Sequence, residues 1–140
     1  MAAEMLNPKE IDNILQVIRN VYHTIVYVNL GDDSYHCIQS SEQEIKDLLE
    51  KKDSTLADLS KYLTKSGLVY AEDAKEFAEF CNLDRIRQEL DNGKSYLSIA
   101  YRRVKGGQYR WDMLEVIPSP NYSEKHKSII ICVRDINEEH

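Results

Sequence analysis

The segment NPKEIDNILQVIRNVY places Ile11, Ile14, Leu15, Ile18, Val21 and Tyr22 at helical spacing, which predicts an amphipathic helix with one apolar stripe. Asn7 is placed to cap it, Pro8 suits the first helical position, and Glu10 lies three residues after the cap. The period then changes. Residues 24–30 and 35–39 are rich in β-branched and aromatic types and flank the turn cluster Gly31-Asp32-Asp33-Ser34, so they predict a β-hairpin.

Helical spacing returns in the middle of the chain. Ser41 with Glu44 forms a capping-box signature ahead of a helix over 42–52, and Leu56, Leu59 and Leu63 share one side of a further short helix. Phe77, Phe80 and Cys81 share a face of the next, Asn82 is placed to restart it, and Asp91-Asn92-Gly93 is a stop. Three strands are predicted at 95–105, 108–117 and 128–134, the last two separated by the polar loop PSPNYSEKHK. Helix, two strands, several helices, three strands is the order of an α+β domain, an antiparallel sheet with its helices gathered on one side. Parallel βαβ units would require regular alternation, and the chain has none.

Gly106-Gly107 as a two-residue turn sets Tyr109 opposite Val104, Trp111 opposite Arg102 and Leu114 opposite Ile99. Leu97, Ile99 and Tyr101 then share a face with Leu114 and Val116, suited to packing on the central helices. Ala100, Arg102, Val104, Tyr109, Trp111 and Met113 share the opposite face, where Arg102 is placed to stack on Trp111. That second face also calls for a cover. The expected contact joins Ile11, Ile14, Leu15 and Ile18 of the N-terminal helix to Trp111 and Met113, either within one chain or across a homodimer.

Composition narrows the function. The 140 residues suit one domain, divided here into an N-terminal helix at 1–22 and a globular part at 23–140. A net charge of −6, from 18 basic and 24 acidic residues, argues against nucleic acid as a partner, because that affinity rests on clustered Lys and Arg. Cys37, Cys81 and Cys132 are odd in number and lack a C-x-x-C pair, which favours a reducing cytoplasm over a disulfide framework or a zinc site. No apolar run approaches 18 residues and no signal-peptide pattern opens the chain, so a cytoplasmic location without membrane insertion is expected.

Three segments resemble a PAS domain, the sensory module found upstream of histidine kinases and GGDEF-type cyclases. TIVYVNLGDDSYHCI resembles the family's opening hairpin, and VYAEDAKEFAEF its V-H-P-E-D entry into the central helix. SYLSIAYRRVKGGQYRWDMLEVIP and SIIICVRDINEE resemble its E-Y-R … D-G-x-Y-R-W hairpin and its closing R-D-I-T-E strand. The resemblance covers roughly residues 20–139; Tyr70-Ala71, Gly107 and Asn137 depart from it. It implies a five-stranded antiparallel sheet, helices over one face, a small cavity between them, and signal output through the chain ends.

On this reading the chain is not an enzyme. A ligand pocket is expected against Tyr27, Leu59, Phe77, Phe80, Ile99, Tyr101 and Ile131, and an output joint at Arg134 and Asp135. Asp135 would cap a following helix turn, while Arg134 would pair with an acid on a neighbouring strand. Asp112 and Glu115 on the hairpin lack any catalytic spacing and read as surface ion-pair partners. No cofactor is expected. The N-C-R-F-L-Q stretch of flavin-binding relatives has no counterpart, so Cys81 reads as a small buried hydrophobe. His23, His36, His126 and His140 lie outside the helical region that gives haem-binding relatives their axial ligand, and no metal site is expected. The chain stops at VRDINEEH, where the family passes into a connecting helix. A regulatory piece of a larger bacterial cyclase or kinase is therefore expected, with a covalently attached output domain. Two other readings stay open, a small cystatin-like enzyme and a ligand-free dimerisation module.

Overall fold

The computed structural model describes residues 7–41, 43–50, 56–120 and 122–137, without the side chains of Ile11, Leu15, Glu44 and Ile45. Helix α1 runs over Pro8–Val21, strands β1 over Thr24–Asn29 and β2 over Ser34–Ser40, and helices α2 over Gln43–Leu49 and α3 over Leu56–Lys65. A 3₁₀ turn at Ala71–Asp73 leads into α4 at Ala74–Phe80 and α5 at Leu83–Asp91. Strands β3 at Leu97–Lys105, β4 at Gln108–Pro118 and β5 at Ser128–Asp135 complete the order.

Local chemistry sets the helix starts as the sequence predicts. The Asn7 side chain accepts from the backbone N–H of Glu10 at 2.8 Å and donates to its carboxylate at 2.8 Å. Asn82 accepts from the N–H groups of Asp84 and Arg85 at 2.9 and 3.2 Å, which breaks α4 from α5. Ser41 is described, but the side chain of Glu44, its expected capping partner, lies outside the described residues.

The five strands form one antiparallel sheet in the order β2-β1-β5-β4-β3. Its features are those implied by the resemblance to PAS domains: five antiparallel strands, helices over one face and a cavity between the two layers. The β3–β4 register is the expected one, with Val104 opposite Tyr109 and Ile99 opposite Leu114. Gly106 and Gly107 both have positive φ, 61° and 78°, the pair of values a two-residue hairpin turn demands of its central residues.

One face of the sheet carries the core. Val26, Ile131, Val116 and Leu97 form a row across four strands, and Val133, Leu114 and Ile99 form the next. Leu49, Leu56, Phe77, Ile86 and Leu90 of α2 to α5 close over them. Residues 68–70 run along the outer edge of β3, with Val104 N–H donating to Leu68 at 2.8 Å and Tyr70 N–H donating to Arg102 at 2.8 Å. That pairing covers an otherwise open strand edge.

Three expectations change. Within one chain the stripe of α1 does not lie buried on the sheet: Ile14, Ile18 and Val21 are exposed, as is Val17 beside them. The helix is held at its C-terminal end instead, where the Gln39 amide donates to the carbonyls of Arg19 and Tyr22, each at 2.8 Å. The side chains of Ile11 and Leu15 lie outside the described residues, while Trp111 and Met113 are half-buried on the outer face. Second, Asp112 and Glu115 are buried rather than at the surface. Third, Tyr27 faces outward, exposed, with its hydroxyl donating to Ser128 at 2.7 Å. Strand alternation explains it, because Val26 and Val28 take the two inward positions around it.

Candidate functional site

Between α3, α4 and the sheet lies a cavity of about 150 Å³. Leu56, Leu59 and Leu63 of α3, Phe77, Phe80 and Cys81, and the strand residues Val26, Tyr101, Leu114, Val116, Ile131 and Val133 form most of its wall. The helical spacing of the leucines brings one side of α3 to it, and the strand period brings every second sheet residue. Of the expected pocket residues, Leu59, Phe77, Phe80, Tyr101 and Ile131 line this space. Ile99 is buried in the core without lining it, and Tyr27 is on the other face.

The polar groups on the wall are few, and the strongest stand together. Arg103 Nε donates to Asp112 Oδ2 at 2.7 Å, His23 Nε2 lies 3.2 Å from the same oxygen, and the Tyr101 hydroxyl donates to it at 3.4 Å. Asp112 is fully buried, while His23, Tyr101 and Arg103 all border the cavity. The His23 Nδ1 lies 2.9 Å from the Thr24 hydroxyl, so both ring nitrogens have partners. Arg103 Nη2 also lies 3.6 Å from Asp135 at the end of β5. One cation therefore joins the cavity wall to a buried acid and to the exit of the sheet. The sequence reading set His23 aside as a haem ligand, took Asp112 for a surface ion-pair partner and did not single out Arg103. Alternation does place Asp112 opposite Tyr101 in an inward row, and a carboxylate there needs a buried counter-ion.

Burial decides the ionisation of the wall. It pushes the Cys81 thiol up to about 12, against a hydrogen bond with the Ser60 hydroxyl. Burial, and then the charge of Asp112, hold the Tyr101 phenol well above its ordinary value. Both groups are protonated at neutral pH, so neither offers an anionic nucleophile.

The expected output joint is tied to the hairpin. Asp135 accepts from Arg110 Nε at 2.5 Å and from the Asn137 N–H at 2.9 Å, and the Arg110 bond holds its carboxyl below the usual range. Ile136 N–H donates to Trp111 at 2.9 Å, and Asn137 accepts from the Trp111 N–H at 3.0 Å. Any helix turn beyond Asn137 lies outside the described residues. Arg134 Nε donates to Glu115 at 3.3 Å, the cross-strand acid anticipated for it. Glu115 also accepts from the Tyr96 hydroxyl, and burial, together with the Glu115 charge, raises the Tyr22 phenol just past α1 to about 12. The start and the end of the domain are thus pinned to the same strand, β4.

On the outer face, the Arg102 guanidinium lies 4.2 Å from the Tyr70 ring centre and 5.0 Å from that of Trp111, and it grips Asp73 at 2.9 and 2.7 Å. The expected stack on Trp111 is present, and Tyr70 is the nearer ring. Among the described residues no group of three His, Cys, Asp or Glu is placed to hold a metal ion, and no helix is long and apolar enough to cross a membrane.

No family model matches the chain, and no curated protein matches it. Among solved structures it is similar to the N-terminal domain of a diguanylate cyclase with PAS/PAC sensor from Marinobacter aquaeolei. The identity is 17%, over 84% of this chain and 98% of that one, with a TM-score of 0.49. It is also similar to a Rhodobacter sphaeroides LOV protein, at 13% identity over 94% of this chain and 69% of that one, with a TM-score of 0.46. A light-oxygen-voltage domain studied with a flavin analogue shares 7% identity over 91% of this chain and 87% of its own, with a TM-score of 0.47. At such identities the likeness concerns the fold alone. The fold is PAS-like on the chain's own architecture.

Proposed function

We propose that the chain is a PAS-type sensory and interaction domain that binds a small molecule in the helix-side cavity and relays its presence to the end of β5. The observation that carries this reading is the position of Arg103, on the cavity wall and within reach of both Asp112 and Asp135. A guest that packs against the Arg103 side chain, with its bond to Asp112 kept, shifts the longer contact of the guanidinium with Asp135 at the exit, and the hydrogen bonds of Ile136 and Asn137 to Trp111 sit beside that contact.

An output domain, of a cyclase or a kinase, would follow the exit in a larger bacterial signalling protein working in the cytoplasm. The exposed stripe of Ile14, Val17, Ile18 and Val21 supports a homodimer through α1. A three-ring flavin exceeds the cavity, which is about the size of one aromatic ring, so a cofactor-free site is the better fit. The acid–base reading of a cystatin-like enzyme would need Asp112 as a free base, yet Arg103, His23 and Tyr101 already occupy its oxygens.

Filling the cavity tests the relay without a ligand. Leu59→Phe places added volume on the wall contributed by α3. The amide resonances of Ile136 and Asn137 should move together with those of Leu114 and Val116. A folded Leu59→Phe protein whose exit amides are unchanged would contradict the relay.

A further inference from the structure

We infer that the cavity takes a neutral, predominantly apolar molecule of roughly one aromatic ring, about six to eight non-hydrogen atoms, and rejects carboxylates of the same size. This rests on the proposal that the cavity is the sensory site, and it names the chemistry of the signal.

Size gives the first limit. At about 150 Å³ the space is half the lower bound of an ordinary drug-sized pocket, roughly 300 Å³. Cavities of about this volume with aliphatic and phenyl walls stay dry and accept benzene. The wall here is of that kind: Leu56, Leu59, Phe77, Leu114 and Ile131 present only hydrocarbon.

Charge gives the second limit. An anionic guest would have to recruit Arg103 or His23, but the guanidinium already serves Asp112 and Asp135, and the imidazole nitrogens already face Asp112 and Thr24. Taking the guanidinium would leave the fully buried Asp112 with its charge unmatched. A cationic guest meets Asp112 only by displacing Arg103. Lys105 borders the cavity too, but it is solvent-exposed and its charge is screened by water. Polar contact for a neutral guest comes from the Ser60 hydroxyl and from Tyr101, which suits a single hydroxyl or ring N–H at most.

Toluene and benzoate are the probes, because they differ by little except charge. Titration of the full chain should give saturable shifts in the methyl resonances of Leu59, Leu114, Val116 and Ile131 with toluene. Benzoate should bind at least about tenfold more weakly, since burying an unmatched carboxylate is costly. A folded Leu59→Phe protein should lose the toluene response. Benzoate binding in the cavity as well as toluene would overturn the ligand class while leaving the sensory site standing. Toluene shifts confined to the exposed α1 stripe, or saturable response to neither probe, would overturn the class and remove the cavity from the proposed function.

Discussion

Arg103 and Asp112 meet at 2.7 Å on the inward face of the β3–β4 hairpin, where their neighbours along the strands are Tyr101 and Leu114. A fully buried carboxylate among apolar residues persists there because one guanidinium, one imidazole and one phenol converge on it.

Breaking that pair from one side leaves a charge without its partner. Asp112→Asn is expected to cost about 3 kcal/mol, the low end for a buried pair, because Arg103 retains Asp135. Replacing Arg103 and Asp112 together by Leu should recover much of the loss. Urea unfolding measures both, and an Asp112→Asn protein within about 0.5 kcal/mol of the parent would show that the pair contributes little.

Alkaline pH should loosen the pinning of α1. Burial and the hydrogen bond to Glu115 raise the Tyr22 phenol to about 12, above the value of about 10 for an exposed tyrosine. A folded pKa raised above the unfolded one gives stability that is complete below about pH 10 and lost as pH climbs through about 12. Thermal melts between pH 9 and 12 should show this fall, smaller in Tyr22→Phe. Part of the fall remains in that variant, because burial also raises Tyr122 and Cys81 to about 12, Cys132 to about 11, and Tyr96 and Tyr101 above their ordinary values. Parallel pH profiles for the two proteins would contradict the contact with Glu115.

Arg102 should not tolerate lysine. Its two bonds to Asp73 and its stack on Tyr70 both use the planar guanidinium. Arg102→Lys is expected to lower the midpoint of chemical denaturation. The Arg102 bond holds the Asp73 carboxyl below its ordinary range, so this contribution is present above about pH 4 and is lost as pH falls through the lowered folded value. The loss caused by the substitution should therefore shrink in acid. A loss that stays constant down to pH 2 would place its origin elsewhere.

The α1 stripe predicts an association. Ile14→Glu with Ile18→Glu should lower the mass seen by light scattering from that of a dimer to that of a monomer, with unchanged unfolding of the sheet. A parent chain that is already monomeric at high concentration would rule out the α1 dimer.

Strand order apart, most of the architecture was legible in the sequence, because its signals are local. Asn7, Asn82 and Gly106-Gly107 act within a few residues, and alternation across the hairpin fixes its register. The wall residues on α3 and α4 were legible for the same reason. The buried Asp112 network was not. Its members lie at positions 23, 101, 103 and 112, and nothing in local pattern says that the loop after α1 brings His23 back to β4. Tyr27 was misplaced because β1 is apolar on both faces, so its composition does not reveal which parity points inward. The uncovered stripe of α1 follows from a similar limit, since periodicity identifies an apolar face without naming its partner.

The most direct test of the account is hydrogen exchange at the amides of Ile136 and Asn137 with the cavity empty and with it saturated by toluene. If Arg103 couples the cavity to the exit, their exchange rates should change together on saturation, and the change should vanish in Arg103→Leu combined with Asp112→Leu. Saturation that shifts Leu114, Val116 and Ile131 while leaving both amides at their original rates would contradict the relay.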